Sequence, residues 1–178
     1  MRSLNILRAV VFAIAAGFLI FVQDHSITVG MSVLQFVTAA LAFGGVVLYK
    51  LEDFSKAKSV LVVPTAIAAV VALLTITIGG LDPASPDSRL GVFRLLVGMF
   101  AGTMAIAEFV FSQKETKGER LELRISSALG LITLLVFVLA PLDPLNSVGL
   151  LSAYLSLSAV QRAIWAAGPN ERKKKKNA

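Results

Sequence analysis

The chain has 178 residues, 56% hydrophobic and 16% charged, with 17 lysines and arginines against 11 acids, one histidine and no cysteine. A soluble domain is about 45–50% apolar and about 25% charged, so a mean hydropathy of +0.80 excludes an ordinary soluble domain. It equally excludes a disordered chain, which needs low hydrophobicity.

A helix crossing the roughly 30 Å hydrocarbon layer needs about 20 mostly apolar residues. The first stretch that qualifies is 6–22. Arg2 and Arg8 ahead of its apolar run give it the look of a signal peptide, but Gln23, Asp24 and His25 offer no small-residue cleavage site, so an uncleaved helix is expected. Arg8 is expected to snorkel to the headgroups. The following stretches are 27–49, 59–79, 90–111, 121–140 and 147–166. Their apolar runs are continuous, whereas barrel strands alternate over about ten residues. The expected fold class is an all-α membrane protein of six transmembrane helices arranged as three antiparallel hairpins. Residues 1–168 form the transmembrane domain and 169–178 a basic tail.

Orientation follows from lysine and arginine placement. Arg2, Arg8, Lys50, Lys56, Lys58, Lys114, Lys117, Arg120, Arg124, Arg162 and the run Arg172, Lys173, Lys174, Lys175, Lys176 fall on one side. Only Arg89 and Arg94 fall on the other. Both termini are therefore expected in the cytoplasm. The outer turns then hold Asp24, Asp82, Asp87 and Asp143. The tail run is expected to lie against anionic lipids of the cytoplasmic leaflet, where each basic residue contributes about 1 kcal/mol. The positive-inside bias accounts for the pI of about 9.9, so nucleic acid is not implied as a partner. Lys175 and Lys176 also match a dilysine retrieval signal for a eukaryotic host, but short loops and the lack of an Asn-x-Ser/Thr sequon favour a bacterial plasma membrane.

Leu81-Asp82-Pro83 recurs as Leu142-Asp143-Pro144, and a basic residue (Arg8, Lys58, Arg124) stands at the entry of each hairpin. This reads as a repeat of about 60 residues used three times in parallel, a pattern related by an axis along the membrane normal. The alternative is that Asp-Pro simply punctuates helices. The best matching stretch runs from Arg124 through Gly130 and Pro141-Leu142-Asp143-Pro144 to Trp165, with Arg8, Gly17, Asp24 and Gly44-Gly45 a looser copy. With six short helices in about 180 residues, the chain resembles the HdeD-like acid-resistance membrane protein family. That resemblance implies an integral membrane protein with a stress-related role and carries over no catalytic residues. The first turn departs from the pattern in lacking a proline.

Gly98 and Gly102 form a GxxxG, and Thr38, Ala42, Gly45 and Ser152, Ser156, Ala159, Ala163 make small-residue lines. Such faces serve either a homo-oligomer or packing inside the bundle. Ionisable residues within spans are functional candidates. Arg94 and Glu108 stand 14 apart on one helix, a rise of about 21 Å with directions within about 40°. Arg162 is placed to pair with Glu108. The competing reading has each residue snorkelling to its own headgroup layer.

His25 beside Asp24 is a candidate pH sensor or a solvated loop residue. With no cysteine and a single histidine, neither a metal site nor a cofactor is expected. Walker, dinucleotide, HExxH and GxSxG patterns are all missing, so no enzyme is expected. Three readings stand: a non-enzymatic accessory or stress-tolerance membrane protein, a small transporter with a polar path near Arg94 and Glu108, or a subunit that binds a partner membrane protein.

Overall fold

The computed structural model describes residues 2–51, 58–79, 86–113, 115 and 117–167. They form six helices: α1 (Arg2–Phe21), α2 (Ile27–Leu51), α3 (Lys58–Gly79), α4 (Pro86–Ser112), α5 (Lys117–Leu139) and α6 (Pro144–Ala167). No strand occurs among the described residues. Asp82 and the first Leu-Asp-Pro copy lie outside the described residues, as do Lys56, Lys114 and the tail run Arg172 to Lys176.

Local chemistry sets the helix ends. α2 is opened by Ser26, whose Oγ accepts from the Val29 amide at 3.4 Å, while Asp24 Oδ1 accepts from the Ser26 amide at 2.9 Å. α6 starts with proline at its first helical position, where a missing N–H costs nothing. The Asp143 carboxylate before it takes the Asn146 amide at 2.7 Å. Pro141 closes α5, because proline disfavours the helical conformation of the residue it follows. Within the helices, Thr38, Thr65, Thr75, Thr103 and Thr133 donate their hydroxyls to carbonyls three or four residues back. Those groups are thereby satisfied without water.

Packing follows a cyclic pattern. α1 lies most extensively on α6, α3 on α2 and α5 on α4. Each of these odd helices also touches the next even helix in the chain, less extensively, and α2, α4 and α6 touch one another inside. The tightest partners are thus not the two arms of each expected hairpin but each odd helix and the even helix before it in the cycle. The same contact pattern thus recurs three times around the bundle. The basic entry residues do not share it, since Arg8 is buried and Arg124 exposed.

Phe93, Phe100, Phe137, Leu34, Val97 and Leu151 are fully buried at the centre, with Phe93 and Phe137 meeting edge to face at 6.3 Å between ring centroids. Glycines permit the close approaches around them. A β-carbon on Gly102 would come within 2.8 Å of Leu134 on α5, and one on Gly130 within 2.7 Å of the Ala101 carbonyl oxygen on α4. The GxxxG of α4 is therefore spent inside the chain, on α5. The α6 line divides, with Ser152 and Ala159 buried and Ala163 exposed.

Polarity is inverted relative to a soluble protein. Every helix turns large apolar side chains outward, such as Phe18, Phe43, Leu73, Ile106, Ile132 and Ile164. Arg8, Glu108, Glu122 and Arg162 are buried. Five helices, α1 to α5, are long and apolar enough to cross a membrane. α6 is less apolar because it carries serines and Arg162, but Ser147, Ser152, Ser158 and Arg162 all lie on its buried face. Its outward side holds Leu145, Leu157, Val160 and Ile164. Composition averaged over a whole helix hides that division.

Candidate functional site: a buried charged cluster

At the end of the bundle where α1 and α5 begin and α4 and α6 finish, polar side chains from four helices meet. α1 supplies Asn5 and Arg8, three residues apart and therefore on one helix face. α4 supplies Glu108, and α5 contributes Glu122 and Ser126, four apart. α6 contributes Ser158 and Arg162 at the same spacing. In each helix the apolar pattern buries that face, so the polar groups are carried inward with it.

Arg162 is the hub. Its Nη2 donates to Glu108 Oε1 and, at 2.5 Å, to Ser126 Oγ. Its Nη1 reaches Asn5 Oδ1 at 3.3 Å and Glu122 Oε1 at 3.4 Å. Arg8 Nη1 donates to the same Glu108 oxygen at 2.7 Å. Asn5 Nδ2 donates to Glu122 Oε1 at 2.5 Å, and Gln161 Nε2 to the Glu122 backbone carbonyl at 3.1 Å. Arg8, Glu108 and Arg162 are only 5%, 4% and 3% exposed. Two guanidinium groups and two carboxylates thus balance in charge, and each carboxylate is held from at least two other helices.

Several expectations change here. Arg8 does not snorkel; it turns inward to Glu108. Glu108 and Arg162 do not run to separate headgroup layers but form an ion pair. Arg94 takes no part. Its Nε donates to the Phe137 carbonyl in the last turn of α5 at 3.0 Å and its Nη2 to the Ala140 carbonyl just past that helix at 2.5 Å, which also accepts from the Leu142 amide. No charged stripe joins Arg94 to Glu108, since each is engaged at its own end of α4. Of the outer-turn acids, Asp24 and Asp143 hold helix starts, and Asp87 is exposed in the first turn of α4, where the helix dipole favours a negative charge. His25 Nδ1 lies 3.4 Å from the Gln23 carbonyl, in the same turn.

Asn5, Arg8, Glu122 and Ser126 went unrecognised in the sequence. The available signal was their i, i+3 or i, i+4 spacing at the ends of apolar runs, on helices whose cluster ends the connectivity places together. Beside the cluster is a cavity of about 10 Å³, lined by Arg8, Glu108, Ser126, Tyr154, Ser158 and Arg162 among others. That is about the room one water-sized occupant needs. Among the described residues no group of three histidine, aspartate or glutamate side chains is placed to hold a metal ion. Comparison with protein-family models, with curated proteins and with solved structures finds no match to this chain.

Proposed function

We propose that the chain is a non-enzymatic six-span protein of a bacterial plasma membrane, with both termini cytoplasmic and an accessory or stress-tolerance role of the HdeD-like kind. The observation that carries the membrane assignment is the inverted polarity: outward apolar side chains on all six helices around a buried charged cluster. The positive-inside count supports placing the clustered end, and the basic tail beyond it, against the cytoplasmic leaflet. The cyclic packing supports three parallel repeats, each entering and leaving from that side.

This reading is favoured over a small transporter. A substrate pathway usually needs a broken helix or a through-going polar line near mid-membrane, whereas Arg94 and Glu108 are each engaged at separate ends of α4. It is favoured over homodimerisation through Gly98 and Gly102 because both glycines face Leu134 of the same chain.

The lack of cysteine makes the topology directly testable, since any introduced thiol is the only one present. Single cysteines at Asp143 and at Glu115 are to be treated with an impermeant maleimide in intact cells. Labelling at 143 alone is expected, and labelling at 115 alone overturns the orientation. The role is tested by acid challenge of a deletion strain. Reduced survival restored by the intact gene is expected, and survival equal to the parent removes acid tolerance from the proposal.

A further inference from the structure

The cavity beside the charged cluster carries a second, independent signal. Arg8 Nη2 and Arg162 Nε are both buried and have no hydrogen-bond partner among the described residues. Both arginines line the cavity. A buried guanidinium N–H without an acceptor is costly, and here both arginines that carry one line the same small space. Ser126, Ser158 and Tyr154 line it too, and each hydroxyl can donate as well as accept.

Charge favours the same occupant. The cavity wall holds two guanidinium groups against the single carboxylate of Glu108. The second carboxylate, Glu122, is engaged by Asn5 and Arg162 and is not among the lining residues. The lining residues therefore carry one more positive than negative charge and a surplus of donors, while Glu122 balances Arg162 from outside the wall. A cation is repelled by the arginines. Its room is near that of one water-sized occupant, which suits a monatomic ion better than a phosphate or a lipid headgroup. α5 and α6, which pack on each other less than any other pair of consecutive helices, both line the cavity, through Ser126 and Gly130 and through Ser158 and Arg162.

We propose that this cavity is a binding site for one small monovalent anion of the halide class, held by Arg8 and Arg162 and by the hydroxyls of Ser126, Ser158 and Tyr154. Arg8 then serves Glu108 and the anion, and Arg162 adds the anion to Glu108, Ser126, Asn5 and Glu122. Glu108 sets the affinity from across the cavity, since its charge opposes that of the anion. The site is independent of which membrane face the cluster occupies.

The test uses the purified full-length protein in detergent with chloride as the probe. Chloride-35 NMR line broadening is read against bromide competition, and thermal unfolding is followed in sodium chloride and in sodium gluconate at equal ionic strength. The wild type is expected to broaden the chloride line saturably and to unfold at a higher temperature in chloride. Glu108→Gln removes the opposing charge and is expected to bind at least about tenfold tighter, because charges a few ångströms apart in the protein interior interact strongly. Arg8→Gln is expected to weaken binding by about tenfold or more on the same ground. Equal melting in chloride and gluconate, with no saturable broadening by either the wild type or Glu108→Gln, overturns the proposal and leaves the cavity to a water molecule. The wild-type and Glu108→Gln arms decide the matter even if Arg8→Gln does not fold.

Discussion

The two ends of the bundle use the same kinds of charged residue in opposite ways. At one end Arg8, Glu108, Glu122 and Arg162 reach across four helices and are sealed from the surroundings. At the other, Asp24 and Asp143 bond within their own turns, and Arg94 reaches only to the last carbonyls of the helix beside it. Charges spent locally at exposed turns set where helices start and stop. Charges spent across helices and away from water set which helices are neighbours. The sequence separations of the bonded pairs show the difference: Arg162 is 157 residues from Asn5, whereas Asp143 is three from Asn146.

Breaking the clustered end should therefore cost most. Glu108→Ala leaves two buried guanidinium groups without their shared carboxylate, and a loss of about 3–5 kcal/mol is expected. Reversible unfolding in mixed micelles measures it; a loss below that of the capping variants would erase the distinction between the ends. Arg94→Leu removes two charge-assisted bonds at the other end, and about 1.5–3 kcal/mol is expected. Hydrogen exchange should show the loosening confined to the last turn of α5. Gly102→Leu tests the glycine contact midway between the ends. Overpacking against Leu134 should cost about 1–3 kcal/mol, while size-exclusion chromatography of the folded fraction shows an unchanged oligomeric state. Asp143→Ala should be mildest, about 1 kcal/mol for a lost helix cap. Asn at the same position should restore most of it.

Most of the helical layout is readable in the sequence because the bilayer imposes a length that apolar runs must satisfy. The stretch expected at 27–49 is helical over Ile27–Leu51, and that at 59–79 over Lys58–Gly79. Errors fall at polar ends. α5 begins at Lys117 rather than 121 and α4 at Pro86 rather than 90, because a helix continues past its apolar part wherever side chains or solvent satisfy its first amides. Of the candidate site, Glu108 and Arg162 stand out as charges inside apolar runs. Arg8, Asn5 and Glu122 resemble ordinary flanking residues, and nothing local distinguishes an inward turn from a snorkelling one. That depends on α1 lying against α6, a tertiary fact outside the reach of helical periodicity. Arg94 misleads for the related reason that a shared direction on one helix says nothing about a shared partner.

The most direct test of the central claim, that buried ion pairs join the helices at one end, is a double-mutant cycle. Glu108→Gln and Arg162→Gln are to be made singly and together and unfolded in mixed micelles. A coupling of about 0.5–3 kcal/mol is expected, as for residues within one ion-pair network. Strictly additive losses would contradict it, showing that the two side chains stabilise the bundle separately rather than through each other.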